Sequence, residues 1–331
     1  MCLTSLRKQK FRNFQTILVD NGSADGSAEY VRKHFGEVKL IALNENRGFT
    51  GGNIAGYKQA RGELIVLLNN DTETDPHWLE EIHKASLDFP RAGSFASKML
   101  YFDDRRRIEN CGFGMTAAGM TVDFGRDELD GPAWSAPRKV FGACGGAVAY
   151  RRSMLEEIGF LDPDFFVIYE DVDLGFRAQL MGYECSFIPS AIVYHRLGAT
   201  RKKNSAHHVF YSQRNIELAY LKNMPLGLML GSLPQRIFFE LGGAAYFVKQ
   251  GVGTAFLKAK IDAFRRLPAL LRSRRELQTK RRLTNDQLRS ILLKRQLRWI
   301  WKKFSTAWSV RKVFKKGVVA NPHVYKKEEL S

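Results

Sequence analysis

Cysteine is scarce in this 331-residue chain, and the four present follow no pattern. Cys2, Cys111, Cys144 and Cys185 lie far apart with no Cys-x-x-Cys pair, so neither zinc-site spacing nor a disulfide framework is indicated. The expectation is a reducing, cytoplasmic compartment. The first residues lack the apolar run of a signal peptide, which argues against secretion by that route. No stretch reaches the roughly 20 uninterrupted apolar residues of a spanning helix. The most apolar region, 225–248, is broken by Pro234-Gln235-Arg236 and by Glu240, and is expected to be interfacial or buried. No internal repeat is present.

What the chain does have is length, a 44% hydrophobic content and a charge imbalance. These suit one large α/β domain with an appendage. Residues 1–200 carry 23 Lys/Arg against 27 Asp/Glu, whereas residues 201–331 carry 29 against 7. A near-neutral body with a strongly basic tail implies an anionic partner for the tail, a membrane surface or a nucleic acid. The change of character places a soft boundary between residues 200 and 222. We expect domains at 1–222 and 223–331, the second a membrane-associating region. In it Leu293, Leu297, Ile300, Trp301, Phe304 and Trp308 share one helical face and Arg295, Arg298 and Lys302 the other. Such a helix either lies in a membrane interface or packs onto the body.

Along the body, Gln15–Asp20 reads as a β-branched strand ending in an acid, followed by the turn Asn21-Gly22-Ser23 and a helix from Ser27. Val38–Leu43 repeats the strand, Gly51–Ala60 reads as a helix, and Glu63–Leu68 as an apolar strand running into Asn69-Asn70-Asp71. Buried strands alternating with helices predict a mainly parallel sheet flanked by helices. Ligands of such sheets bind beyond the carboxyl ends of the strands, where Asp20 and Asp71 both fall. The glycines of Gly142–Ala147 suit either a close approach to a ligand or a tight turn. In Phe165–Leu174 three carboxylates, Glu170, Asp171 and Asp173, sit inside an apolar run. They either face a cleft that compensates their charge or open a helix with an acidic first turn.

Taken in order, these segments resemble family 2 glycosyltransferases. Val19–Ser27 looks like that family's nucleotide-binding loop, Asn44–Asn53 its next element, Leu67–Thr72 a variant of its Asp-x-Asp motif, Gly142–Ala147 its acceptor-side glycine loop and Tyr169-Glu170-Asp171 its catalytic acids. The resemblance covers residues 2–215, and Asn-Asn-Asp-Thr with His195-x-x-Gly198 and Arg214-Asn215 is similar to bacterial rhamnosyltransferase-like members. It implies a GT-A fold and an inverting enzyme using a dTDP- or UDP-sugar. The acceptor would be a cell-surface polysaccharide or lipid-linked glycan, reached from the inner face of the cell membrane. By the same resemblance, Asp171 is the general base with Glu170 beside it. Asp20, Asn21, Ser23, Arg47, Asn69 and Asn70 bind the nucleotide sugar, and Gly145, Gly146 and Asp173 the acceptor. Asp71 and His195 hold Mg²⁺ or Mn²⁺, with Asn69 standing where the family's first acid usually is.

One departure is plain. Members of the family open with an aliphatic strand before the first helix, and here Met1–Leu6 already resembles that helix. We expect a missing first strand, exposed neighbouring strand edges, and a native start upstream or a truncated product. Two other readings follow from the sequence: a catalytically impaired homologue that scaffolds a membrane assembly, and a nucleic-acid-binding protein. The second is disfavoured because the basic residues interleave with large apolar ones at helical spacing and no reader motif is present.

Overall fold

The computed structural model describes residues 1–196 and 205–293. Helix α1 (Cys2–Arg7) leads to strand β1 (Ile17–Asn21), helix α2 (Ser27–His34), β2 (Lys39–Leu43), α3 (Gly48–Tyr57), β3 (Leu64–Leu68), β4 (Thr72–Thr74) and α4 (Trp78–Asp88). Strands β5 (Ala92–Tyr101), β6 (Ile108–Asn110), β7 (Phe113–Met115), β8 (Thr121–Asp123), β9 (Arg138–Val140) and β10 (Ala147–Arg151) follow. Then come α5 (Arg152–Ile158), α6 (Glu170–Leu180), the long strand β11 (Glu184–His195) and α7 (Ala206–Asn223). The described chain closes with α8 (Leu226–Gly231), α9 (Leu233–Lys249), α10 (Gly253–Arg265), α11 (Leu267–Lys280) and α12 (Asn285–Ile291).

The central sheet runs β3-β10-β5-β11-β4, with β6 added to β5 and β9 to β11. It is mixed, not mainly parallel: β5 pairs β11 in parallel, while β10 runs antiparallel to both β3 and β5. β9 likewise runs antiparallel to β11, so β9 and β10 point the same way on either side of the glycine segment. Strands β3, β5 and β11 therefore point the same way, and their carboxyl ends share one edge with the starts of β10 and β4. This is the edge at which α/β sheets bind ligands. The apolar run of β3 is explained by burial on both faces. Ile65 and Leu67 join a core with Ala96, Val148 and Phe187, whereas Leu64, Val66 and Leu68 pack toward Trp78, Ile82 and Val193.

β1 pairs only with β2, in parallel, and forms a sheet of its own. Among the described residues neither β1 nor β2 joins β3, so the sheet is broken where exposed strand edges were expected. Helix α3 spans the break. It packs on β1, with Val19 Cγ2 3.2 Å from where a Cβ at Gly56 would stand, and its Ile54 and Tyr57 reach the core of the central sheet.

Helices α7, α8, α10, α11 and α12 share a core with α6. Leu218, Ala263, Leu270, Leu288 and Leu292 share one core with Phe113, Phe165, Val172 and Phe176. Region 225–248 forms α8 and α9, and no helix among the described residues is long and apolar enough to cross a membrane. The expected amphipathic face beyond Leu293 lies outside the described residues, as does Gly198.

Candidate active site

The site is assembled from strand ends and one strained turn. Asn69 follows β3, and its N–H donates to the Gly146 carbonyl at 2.9 Å. The next glycine back, Gly145, donates its N–H to Asp171 Oδ2 at 2.8 Å. One glycine pair thus joins the Asn69–Asp71 turn to the acid that opens α6. A Cβ at Gly145 would stand 3.6 Å from that of Asp171, so a small residue permits the approach. The other oxygen of Asp171 accepts from the Val172 N–H at 2.8 Å, which leaves the half-buried carboxylate fixed in orientation.

The turn before α6 is unusual. Phe166, Ile168 and Tyr169 all have positive φ, 61°, 69° and 72°. In Ile168 this conformation is costly because its branched Cβ crowds the following carbonyl. The strain is held from α7. Asn215 Nδ2 lies within 2.8 Å of the Phe165 and Val167 carbonyls and 2.6 Å of that of Ile168. Arg214 donates to the Asp164 and Phe165 carbonyls and, through Nε, to Asn215 Oδ1 at 2.8 Å. Strained backbone held by surrounding structure in this way clusters at active sites. Glu170, the first residue of α6, is buried beside it.

Across the cleft edge, Asp20 is buried at the end of β1 and accepts from the Ser23 N–H at 3.2 Å. Asn21 ties two loops together: its Oδ1 accepts from the Arg47 N–H at 3.0 Å and its Nδ2 donates to the Gly48 carbonyl at 2.8 Å. The Arg47 side chain is exposed and meets Glu45 at 3.3 Å. Gly48, at φ +70°, lies so close to Phe166 that a Cβ there would fall 2.4 Å from the Phe166 carbonyl oxygen. The loop before α3 and the strained turn are therefore in direct contact. Asn70 is exposed in the turn after β3.

The third corner is an imidazole between two carboxylates. His195, at the end of β11, has Nε2 3.1 Å from Asp71 Oδ1 and Nδ1 2.7 Å from Glu109 Oε2. Burial alone would lower its pKa, but hydrogen bonds to both carboxylates outweigh that and raise it to about 9. Glu109 was not anticipated from the sequence. Asn110 pairs with Met99 and Ile108 with Leu100, which makes Glu109 the extra residue of a bulge that turns its side chain toward His195. The half-buried Cys144 thiol is pushed well up, first by burial and then by the charges of Asp171 and Glu109.

Among the described residues no three His, Cys, Asp or Glu groups converge as a ready-made metal cage. The Asp71–His195 pair offers two ligands. That suits a hard cation which draws its remaining ligands from diphosphate oxygens and water. Asp173 does not fit the acceptor role expected of it. It is fully buried, with Arg177 Nε at 2.8 Å, Lys222 at 3.1 Å and Asn223 at 2.8 Å. Burial pushes its pKa up, but Lys222 and Arg177 prevail and hold it at about 2. It ties α6 to α7.

This geometry can be set beside known proteins. Residues 1–159 match the profile described as glycosyl transferase family 2. These residues form a domain of that family. Among the chain's relatives, the O-antigen biosynthesis protein RfbC of Myxococcus xanthus is 26% identical over 220 residues, 62% of this chain and 17% of that protein. The N-acetylglucosaminyl-diphospho-decaprenol L-rhamnosyltransferase of Mycobacterium tuberculosis is 25% identical over 232 residues, 62% of this chain and 74% of the relative. In fold, the chain is similar to GalNAc-T7 solved with UDP, GalNAc and Mn²⁺, with a TM-score of 0.53 and 15% identity over 66% of this chain and 44% of that one. The fold is GT-A, as the family resemblance implied.

Proposed function

We propose that this chain transfers a sugar, with inversion at the anomeric carbon, from a nucleotide-sugar donor to a hydroxyl of a glycan or lipid-linked acceptor. The observation that carries this reading is the Gly145–Gly146 bridge, which sets Asp171 beside the Asn69–Asp71 turn. In the reaction Asp171 takes the proton of the acceptor hydroxyl. The freed oxygen attacks the anomeric carbon, and the bond to the nucleoside diphosphate breaks on the opposite face. Asp20, Ser23 and Arg47 border the nucleoside, Asn69 and Asn70 the sugar and diphosphate, and Gly145 and Gly146 the acceptor. Asp71 and His195 would hold Mg²⁺ or Mn²⁺, which when bound neutralises charge on the departing diphosphate.

The name of the mycobacterial relative supports rhamnose as the first candidate sugar and a prenyl-diphosphate-linked acceptor, and the family resemblance implies a dTDP- or UDP-sugar as the donor. Such an acceptor suits a basic region, residues 223–331, resting on the anionic inner face of the cell membrane while the soluble donor arrives from the cytoplasm. The break between β1 and β3 favours a second reading, an impaired homologue that acts as a scaffold. A thermal-shift panel of nucleotide sugars, with and without Mn²⁺, separates them. One sugar nucleotide should raise the melting temperature, more so with the metal, because a ligand that binds only the folded state stabilises it. If none does, and none is hydrolysed, the transferase reading fails.

A further inference from the structure

Helices α8 and α9 are built inside out. The charges of α9 within the packed region point inward: Arg236 pairs with Glu217 of α7, and Glu240 meets Arg236 at 2.7 Å and Lys260 of α10 at 2.5 Å. The outward side carries Leu226, Leu230, Leu233, Ile237, Leu241 and Val248, each between 47% and 68% exposed. In α9 the spacing of 233, 237, 241 and 248 keeps these residues on one face. A continuous apolar row of this kind on a soluble surface marks an interaction site.

Leu226 also forms a wall of an open groove of about 360 Å³ between α8, α11 and α12, whose lining includes Arg274, Arg275 and Arg281. None of the groove's lining residues is acidic. Arg274 is held by the carbonyls of Leu221 and Met224 at 2.6 and 2.7 Å, so part of the basic lining is preformed. The surroundings are cationic as well: residues 223–293 hold 13 Lys/Arg against 4 Asp/Glu. Of those acids, Glu240 and Asp262 are already paired within the helices.

We propose that the apolar row of α8 and α9, with the adjoining arginine groove, docks this chain on the surface of an anionic phospholipid bilayer. A bilayer interface supplies both halves of the match at once, an apolar phase for the leucines and phosphates for the arginines. A nucleic acid would use the groove and leave the leucines in water. A second copy related by a two-fold axis would bring arginine grooves toward each other. The inference deepens the membrane-facing part of the proposed function, and its test needs neither donor nor acceptor.

The full chain is floated with phosphatidylcholine vesicles, with and without phosphatidylglycerol. Wild type should partition onto the phosphatidylglycerol vesicles. The variant carrying Leu230→Ser, Ile237→Ser and Leu241→Ser, and the variant carrying Arg275→Gln and Arg281→Gln, should each partition at least about tenfold less. The serine variant should melt no lower than wild type, because its replaced side chains face water. Wild type that stays unbound, or a serine variant that floats undiminished, overturns the inference. So does a serine variant with a lowered melting temperature and altered sedimentation, since the row would then be covered by protein, a second copy or residues 294–331. Flotation as expected without any sugar-nucleotide stabilisation would sink the transferase reading and leave this surface standing.

Discussion

Glu109 Oε2 lies 2.7 Å from His195 Nδ1, on the far side of the imidazole from Asp71. This contact fixes the ring and aims Nε2 at the carboxylate with which it would share a metal. Replacing Glu109 by Ala should weaken Mn²⁺ binding about 10- to 100-fold, the usual effect of losing a partner that orients a ligand histidine. Glu109→Gln, which keeps a hydrogen-bonding group, should recover part of the loss. Mn²⁺ titration followed by electron paramagnetic resonance reads the effect without turnover. Equal affinity in all three proteins would show that Glu109 does not orient the imidazole.

Asn215 holds the carbonyls of Phe165, Val167 and Ile168, and so keeps three residues in the left-handed region. Asn215→Ala should cost about 1–3 kcal/mol in chemical denaturation, the penalty for unmet buried carbonyls and released strain. Hydrogen exchange should rise at residues 164–170 before it rises in β5 or β11. A variant as stable and as protected as wild type would mean that the turn keeps its shape without α7.

Asp173 makes an acid-sensitive link. Its folded pKa of about 2 lies below the ordinary 3.8, so its contribution to stability is complete above pH 3.8 and disappears as pH falls through about 2. Asp173→Ala leaves Arg177 and Lys222 buried without their shared counter-charge and should cost about 3–5 kcal/mol near neutral pH. The variant should also lose less stability than wild type between pH 4 and about pH 2. Parallel acid-unfolding curves for the two proteins would refute the assignment.

Much of the site was legible because the motifs are local. Asp20 and the Asn69–Asp71 turn end apolar strands, and the acids of Glu170-Asp171 interrupt an apolar run, so their positions at strand and helix ends could be read from neighbours in sequence. Gly145 and Gly146 could be read as either a close approach to a ligand or a tight turn, and the segments that meet them, Asn69 and Asp171, were not visible. The remainder depends on long-range pairing. Glu109 sits in a three-residue strand whose bulge is defined only by its partner β5, 86 residues from His195. The role of Asp173 was misjudged because its cations come from the next turn of α6 and from α7, and burial among them is not encoded at position 173. The reversed direction of β10 likewise depends on which strands it joins, so the apolar pattern alone suggested a parallel sheet. In α8 and α9 the residue pattern gave apolar content, but only packing decides which side faces water.

The central claim is that Asp171 removes the acceptor proton, and Asp171→Asn tests it most directly. Turnover of the transferred sugar should fall by about 10²- to 10⁴-fold, the contribution of a general base, while the affinity for the nucleotide sugar and the melting temperature stay close to wild type. Near-normal turnover in a variant that still binds the donor would contradict the account.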